Sequence, residues 1–352
     1  MKRTGYLAPE GLENALLGEL KNVEQQLGRL IIALGEEQEV YWVQNIWRNL
    51  QIIAFDSIGD GAKKLRSLQG LWALYPYENI RRAKFIQEKL AYFASKPLPF
   101  PARLPKASLG SWTLLDANTL IASANCSSVL PHGEYHFQET KEPPSRAYLK
   151  LWEVFTRLEC IPQPGDLCLE LGASPGSWTW VLSQLGAKVI AVDKAPLAKD
   201  FPNVQFLKKD AFQLQPSDFI PKIIQESILD GIESCQKSTT AGFVNAPVLV
   251  NTGAFTIVDF GRFEPAQNRF LNHFRYSAVK WVFSDLICYP EKLLSWIQLW
   301  LAAGSRANFI CTLKFQGEEH YSAIAEFKKI PGAQIIHLFH NKHELTFVLI
   351  QE

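Results

Sequence analysis

Beyond residue 145 the chain alternates two apolar patterns of different period. In residues 176–185, Trp178, Val181, Leu182 and Leu185 fall at i, i+3, i+4 and i+7, the stripe of a helix with one buried face. Residues 166–171 (DLCLEL) and 188–192 (KVIAV) are short, nearly unbroken apolar runs, as expected of strands covered on both faces. Residues 145–155 predict a helix capped by Ser145, and a third strand is expected to end at Asp210 in FLKKDAF. Such alternation predicts an α/β architecture around a doubly wound, mostly parallel sheet.

Earlier in the chain the pattern is more broken. Residues 11–20 predict a helix with Leu12, Leu16 and Leu17 on one face, and residues 114–123 predict a strand. Short strands mixed with amphipathic helices point to a smaller α+β region over residues 1–140. Within it, residues 95–106 (SKPLPFPARLPK) carry four prolines in twelve positions, which predicts a linker or crossing segment. The polar break QETKEPP (138–144) marks the expected boundary with a second domain over residues 141–352.

Composition narrows the picture. Hydrophobic residues are 47% of 352, enough for packed cores in about two domains. Lys and Arg number 36 against 35 Asp and Glu, so the chain as a whole is not a polyelectrolyte. Charge is nevertheless local: residues 61–110 hold ten basic side chains against two acids, Glu78 and Glu88. That stretch reads either as a solvated helix face or as a surface that tracks nucleic-acid phosphates. The six cysteines form no CxxC pair, so neither a zinc knuckle nor a disulfide framework is signalled. Cys168 and Cys311 sit in apolar runs and read as core. His337, His340 and His343 recur every three residues with no partner cysteine or HExxH, so they read as surface or strand residues and no metal is expected. No stretch reaches the roughly 18 consecutive apolar residues of a membrane span. The N-terminus lacks the apolar segment of a signal peptide, and a cytoplasmic protein is expected.

The most specific chemistry lies in residues 166–178 (DLCLELGASPGSW). A strand ends at Glu170, turns through Gly172, Ser174, Pro175 and Gly176, and enters a helix at Ser177 and Trp178. Glycines let the backbone approach a ligand closely, and a helix start offers free N–H groups. A dinucleotide site would need G-x-G-x-x-G for its pyrophosphate. Here Ser174 takes the second glycine's place and Pro175 follows, which suits a cofactor without a diphosphate. Asp193 ends the next strand 23 residues after Glu170, where a carboxylate can accept from ribose hydroxyls, and Asp210 is placed to contact adenine.

These motifs resemble the FtsJ-type RNA 2′-O-ribose methyltransferases, and within them the branch that methylates a cytidine ribose of large-subunit ribosomal RNA. The resemblance covers residues 143–215 and 279–350. It is carried, in family order, by PPSRAYLKLWEVF (143–155), LGASPGSWTWVL (171–182), VFSDLICYPEKLLSWIQLWL (282–301), TLKF (312–315) and NKHELTFVL (341–349). It implies a Rossmann-like domain that binds S-adenosylmethionine through Gly172, Ser174, Pro175, Gly176, Ser177, Trp178, Asp193, Asp210 and Asp285. The family's Lys-Asp-Lys-Glu tetrad falls on Lys150, Asp285, Lys314 and Glu344, and the implied partner is RNA, specifically ribosomal RNA. The chemistry is coherent: a ribose hydroxyl is a weak acid, and a lysine can take its proton only when neutral, a form that a neighbouring cation favours.

The chain also departs from the family. Gly176-Ser177-Trp178 stands where Gly-Gly-Trp is usual, Lys342 where an arginine is usual, and Phe315-Gln316 where Leu-Pro is typical. Residues 216–278 form an insertion expected to border the substrate cleft. Its apolar run 248–260 predicts a hairpin or two strands, and Asp259 within it is a weaker rival for the catalytic aspartate. GYLAPEGLENALLGELK (5–21) resembles the branch's opening strand and helix; residues 1–140 are expected to bind RNA, as a shortened docking region for which the family's THUMP type stays an open alternative. Two other readings stay open: methyl transfer to a non-RNA acceptor on the same fold, and a non-catalytic RNA-binding module with a relic cofactor loop.

Overall fold

The computed structural model describes residues 2–92, 96–219, 279–315 and 322–351. Most of the insertion, including the run 248–260 and Asp259, lies outside the described residues, as do Cys235 and Gln316.

The N-terminal part contains β1 (Arg3–Leu7), α1 (Glu13–Glu19), β2 (Val23–Leu27), β3 (Leu30–Leu34), β4 (Asn45–Arg48), β5 (Gln51–Ala54), α2 (Ile58–Leu68), β6 (Trp72–Leu74), α3 (Ile80–Gln87), β7 (Gly110–Leu114), β8 (Thr119–Ser123) and β9 (Asn125–Cys126). They form two sheets, β2-β3-β1-β4-β9 and β5-β8-β7-β6. The two helices α2 and α3 place Ala62, Leu65, Ala83 and Ile86 in one buried cluster with Phe55, Trp72 and Trp112. The single strand expected over 114–123 is two antiparallel strands, β7 and β8. The Asp116 carboxylate accepts the Asn118 N–H at 2.8 Å and closes a tight turn between them.

The second part follows with α4 (Tyr148–Leu158), β10 (Leu167–Leu171), α5 (Ser177–Gln184), β11 (Lys188–Asp193), β12 (Val204–Lys208), β13 (Trp281–Ser284), α6 (Pro290–Ala302), β14 (Asn308–Lys314), α7 (Ser322–Lys328), β15 (Gln334–Ile336) and β16 (Glu344–Leu349). Their sheet runs β12-β11-β10-β13-β14-β16-β15. The strands from β12 to β14 are parallel, and β16 is antiparallel to both of its neighbours. Every residue of β10 and β13 is buried, which is why those runs are apolar almost throughout. From β10 the chain winds outward through β11 and β12; from β13 it winds the other way. The reversal opens a crevice at the carboxyl ends of β10 and β13, the place where such sheets bind ligands.

The helix expected from Ser145 begins at Tyr148, with Ala147 as its N-cap residue. Ser145 instead lies between two elements. Its hydroxyl accepts the Ala147 N–H at 3.3 Å and bonds the Ser177 hydroxyl at 2.7 Å, fastening the entry of α4 to the start of α5. The proline-rich segment is a crossing segment. Phe100 stacks on Trp152 of α4 at 4.7 Å, and Leu98 forms an isolated bridge with Phe137.

The two parts share a core. Tyr6, Leu16, Ile31 and Trp42 belong to the same buried cluster as Leu169, Phe309 and Phe347. Trp42 is fully buried, stacked on His343 at 5.3 Å and edge-on to Phe315 at 5.7 Å. Trp42→Ala should therefore lower the free energy of unfolding by about 3–5 kcal/mol in urea titrations. Ile52→Ala, at a side chain 47% exposed, should change it by no more than about 0.5 kcal/mol.

Candidate active site

The glycine loop leaves β10 at the crevice. Gly172 has φ +77°, and a Cβ there would lie 2.9 Å from the Leu286 side chain. Gly176 has φ +110°, and a Cβ would meet the Phe201 ring at 2.8 Å. Both positions require bare backbone. The Asp193 carboxylate, at the end of β11, accepts the Ser174 N–H at 3.0 Å and the Ala195 N–H at 2.9 Å, so it shapes the loop it faces. The Ser174 hydroxyl donates to the Pro196 carbonyl at 2.9 Å. Two residues past β12, Asp210 caps a short turn through the Phe212 N–H at 3.0 Å and pairs with Lys194 at 2.8 Å. Those contacts, Lys194 first, hold its carboxyl below the usual carboxylate range.

Ser177 and Trp178 turn their side chains inward. Both side chains are buried, at 4% exposure. The Ser177 hydroxyl is taken up by Ser145, and the Trp178 indole N–H donates to the Ala147 carbonyl at 2.9 Å. Their side chains therefore tie α5 to α4, and the buried indole N–H has the partner that burial requires.

The four tetrad residues converge. Lys150 lies in the first turn of α4, Asp285 directly follows β13, Lys314 ends β14 and Glu344 begins β16. Lys314 and Glu344 are direct cross-strand partners in the antiparallel register. The Asp285 Oδ1 receives Lys314 Nζ at 3.1 Å and Lys150 Nζ at 3.5 Å. Lys314 Nζ also donates to the Asp285 carbonyl at 2.6 Å, and Lys150 pairs with Glu344 Oε1. Side-chain exposures run from 11% to 23%, so these attractions are stronger than those of fully solvated pairs.

A carboxyl that the sequence reading passed over lies beneath the loop. Glu170 is 2% exposed and accepts the Thr179 hydroxyl at 2.7 Å. Burial, reinforced by Asp285 and Asp193, pushes it up to about 8 against the opposing Thr179 hydrogen bonds. It is therefore mostly a neutral acid at pH 7. Its signal was present as a carboxylate inside the apolar run LCLEL. Of the three histidines His343 is exposed, as expected, whereas His337 is 3% exposed, and burial pushes His337 and His340 down to about 4, leaving both neutral. Among the described residues no group of His, Cys, Asp or Glu is arranged to hold a metal ion. Among them, too, no helix is long and apolar enough to cross a membrane.

The model of FtsJ-like methyltransferases matches residues 143–289. The chain is 30% identical over 162 residues to "Ribosomal RNA large subunit methyltransferase E" of Archaeoglobus fulgidus, covering 41% of this chain and 84% of that one. The chain belongs to the FtsJ-like methyltransferase family. It is also 40% identical over 92 residues to "Ribosomal RNA large subunit methyltransferase M" of Halorhodospira halophila, across 24% of this chain and only 27% of that protein.

The cofactor of an FtsJ-like domain is S-adenosylmethionine, and the residues present fit it. Bare backbone at Gly172 and Gly176 admits a close ligand, the Asp193 carboxylate stands at a strand end where it can accept from a ribose, and Ser174 occupies the place of the second glycine that a diphosphate loop would have.

Glu170 supplies a test of this description. Its folded-state value lies above its unfolded one, so the stability it confers is complete at low pH and lost as pH rises from about 4.5 to about 8. Glu170→Gln should therefore lose less unfolding free energy between pH 5 and 8 than the parent chain, measured by urea denaturation across that range. Parallel stability curves would contradict the buried-acid description.

Proposed function

We propose that this chain transfers a methyl group from S-adenosylmethionine to a ribose 2′-hydroxyl of large-subunit ribosomal RNA in the cytoplasm. The carrying observation is the meeting of two lysines and two carboxylates beside the glycine loop. When bound, S-adenosylmethionine supplies an electrophilic methyl group.

The two lysines have different surroundings, and these divide the labour. Lys150 touches two carboxylates, Asp285 and Glu344. Lys314 touches one carboxylate and donates to a neutral carbonyl. In this reading Lys314 Nζ first releases a proton to solvent, a loss that the neighbouring Lys150 charge favours, and then takes the proton of the 2′-hydroxyl. Asp285 aims both ammonium groups, and Glu344 holds Lys150 on its far side. An amine acceptor would have no use for such a pair, and a relic loop would have no reason to keep all four charges balanced.

Residues 1–140 form the RNA-docking part in this reading. Among the described residues, the exposed Lys63, Arg66, Arg81, Lys84 and Lys89 have no carboxylate within salt-bridge distance, so their charge is available to phosphates. Lys64, by contrast, is paired with Asp60 at 2.8 Å, and Arg82 is held by Asn118 at 3.2 Å.

Lys314→Arg is the decisive variant. Guanidinium preserves the charge and can keep an ion pair with Asp285, yet it does not deprotonate at working pH. Single-turnover methyl transfer to ribosomal RNA should fall by roughly 10²–10⁴ in both Lys314→Ala and Lys314→Arg, with cofactor affinity nearly unchanged. A folded Lys314→Arg protein with near-normal rates would remove Lys314 as the base.

A further inference from the structure

Behind the tetrad lies a second buried carboxylate that the proposed chemistry does not use. Glu153 sits on α4 three residues after Lys150, and its side chain has no exposure. Its Oε1 accepts the Phe339 N–H at 2.8 Å and its Oε2 accepts the His340 N–H at 3.0 Å. Arg157, one turn further along α4, donates to Oε1 at 2.5 Å and lies over the Tyr135 ring at 4.6 Å. His340 in turn bonds the Tyr135 carbonyl at 2.8 Å through its ring.

The segment so held is the one that delivers Glu344. The Asn341 N–H returns to the Leu338 carbonyl at 3.0 Å, and the Asn341 side chain reaches Thr346 of β16 at 3.1 Å. The connection between β15 and β16 is thus a short turn pinned at one end to α4 by Glu153, and β16 opens with the residue that pairs with Lys150. Neither amide can slide by an ångström without leaving a buried carboxylate underbonded, which is costly.

We propose that Glu153 is a positioning residue for the tetrad: by clamping the Phe339 and His340 amides to α4, it sets where Glu344 meets Lys150. The inference rests on the methyl-transfer reading of the tetrad. It assigns Glu153 no contact with substrate and no proton transfer. Its effect passes wholly through the geometry of the Lys150–Glu344 pair.

The test is a double-mutant cycle on the single-turnover rate. Glu153→Gln keeps the volume and removes the charge that the amides and Arg157 share. The rate at saturating RNA should fall roughly 10- to 100-fold, as misplacement of a reacting group does, with cofactor Kd unchanged within about twofold. In a Glu344→Gln background the same change should cost under about threefold, because the geometry it protects is already lost. Losses that simply multiply in the double variant would overturn the proposal, since a merely structural role predicts them. Should Glu153→Gln fail to fold, hydrogen exchange in the unaltered chain decides: the Phe339 and His340 amides should be as protected as those of α4, and free-loop exchange would overturn the clamp. A parent chain that methylates no RNA would instead defeat the functional reading, while amide exchange would still report on the clamp.

Discussion

Two ammonium groups drawn into one partly enclosed cleft repel each other by roughly 4 kcal/mol at about 4 Å and an effective dielectric of 20. They can share the cleft only where anionic oxygens stand between and beside them. In this chain a single oxygen, Asp285 Oδ1, receives both lysines, and Glu344 neutralises Lys150 from its other side. The cluster is balanced in charge, which makes its partial burial tolerable. It is also asymmetric: one lysine is firmly paired, and the other is left with one carboxylate and a carbonyl. That asymmetry suits the proposed division into a base and its electrostatic helper.

The scaffold can be understood from this requirement. Parallel strands deliver Asp285 and Lys314 to the same edge of the sheet, because both lie at carboxyl ends. Glu344 begins its strand, so a parallel β16 would carry it to the opposite edge. Running antiparallel between β14 and β15, β16 instead puts its first residue directly across from the last residue of β14. Lys150 comes from outside the sheet, and α4 is fastened where it passes: by Ser145 to Ser177, by Trp178 to the Ala147 carbonyl, and by Glu153 to the turn before β16. Those contacts also hold the glycine loop and the start of α5 at the crevice beside β10.

Much of this was legible in the sequence where one physical signal dominated. The period of residues 176–185 marked α5, and unbroken apolar runs marked β10 and β11. Lys314 was conspicuous because a charge at the end of an otherwise apolar strand needs a partner. The strand ends fixed where Asp193 and Asp285 would stand. Less was legible where a tertiary contact decided the outcome. Ser145 looked like a cap because caps are local, yet its hydroxyl was claimed by a serine 32 positions away. Ser177 and Trp178 follow the glycine loop in sequence, but their side chains turn into the core. The turn between β7 and β8 was hidden by apolar residues on both sides of Asp116. For Glu153 the sequence offered only an i,i+4 pair with Arg157; the main-chain amides that share its carboxylate lie 186 and 187 residues later.

The central claim is that the Lys150–Asp285–Lys314–Glu344 cluster serves methylation of a ribose in ribosomal RNA. The most direct measurement is a map of 2′-O-methylated nucleotides in large-subunit ribosomal RNA from cells with and without the gene, repeated with the purified chain and S-adenosylmethionine on the unmodified RNA. The account predicts one 2′-O-methyl site that vanishes with the gene and is restored in vitro. Identical maps, or restoration of a methyl group on a base or on protein alone, would contradict it.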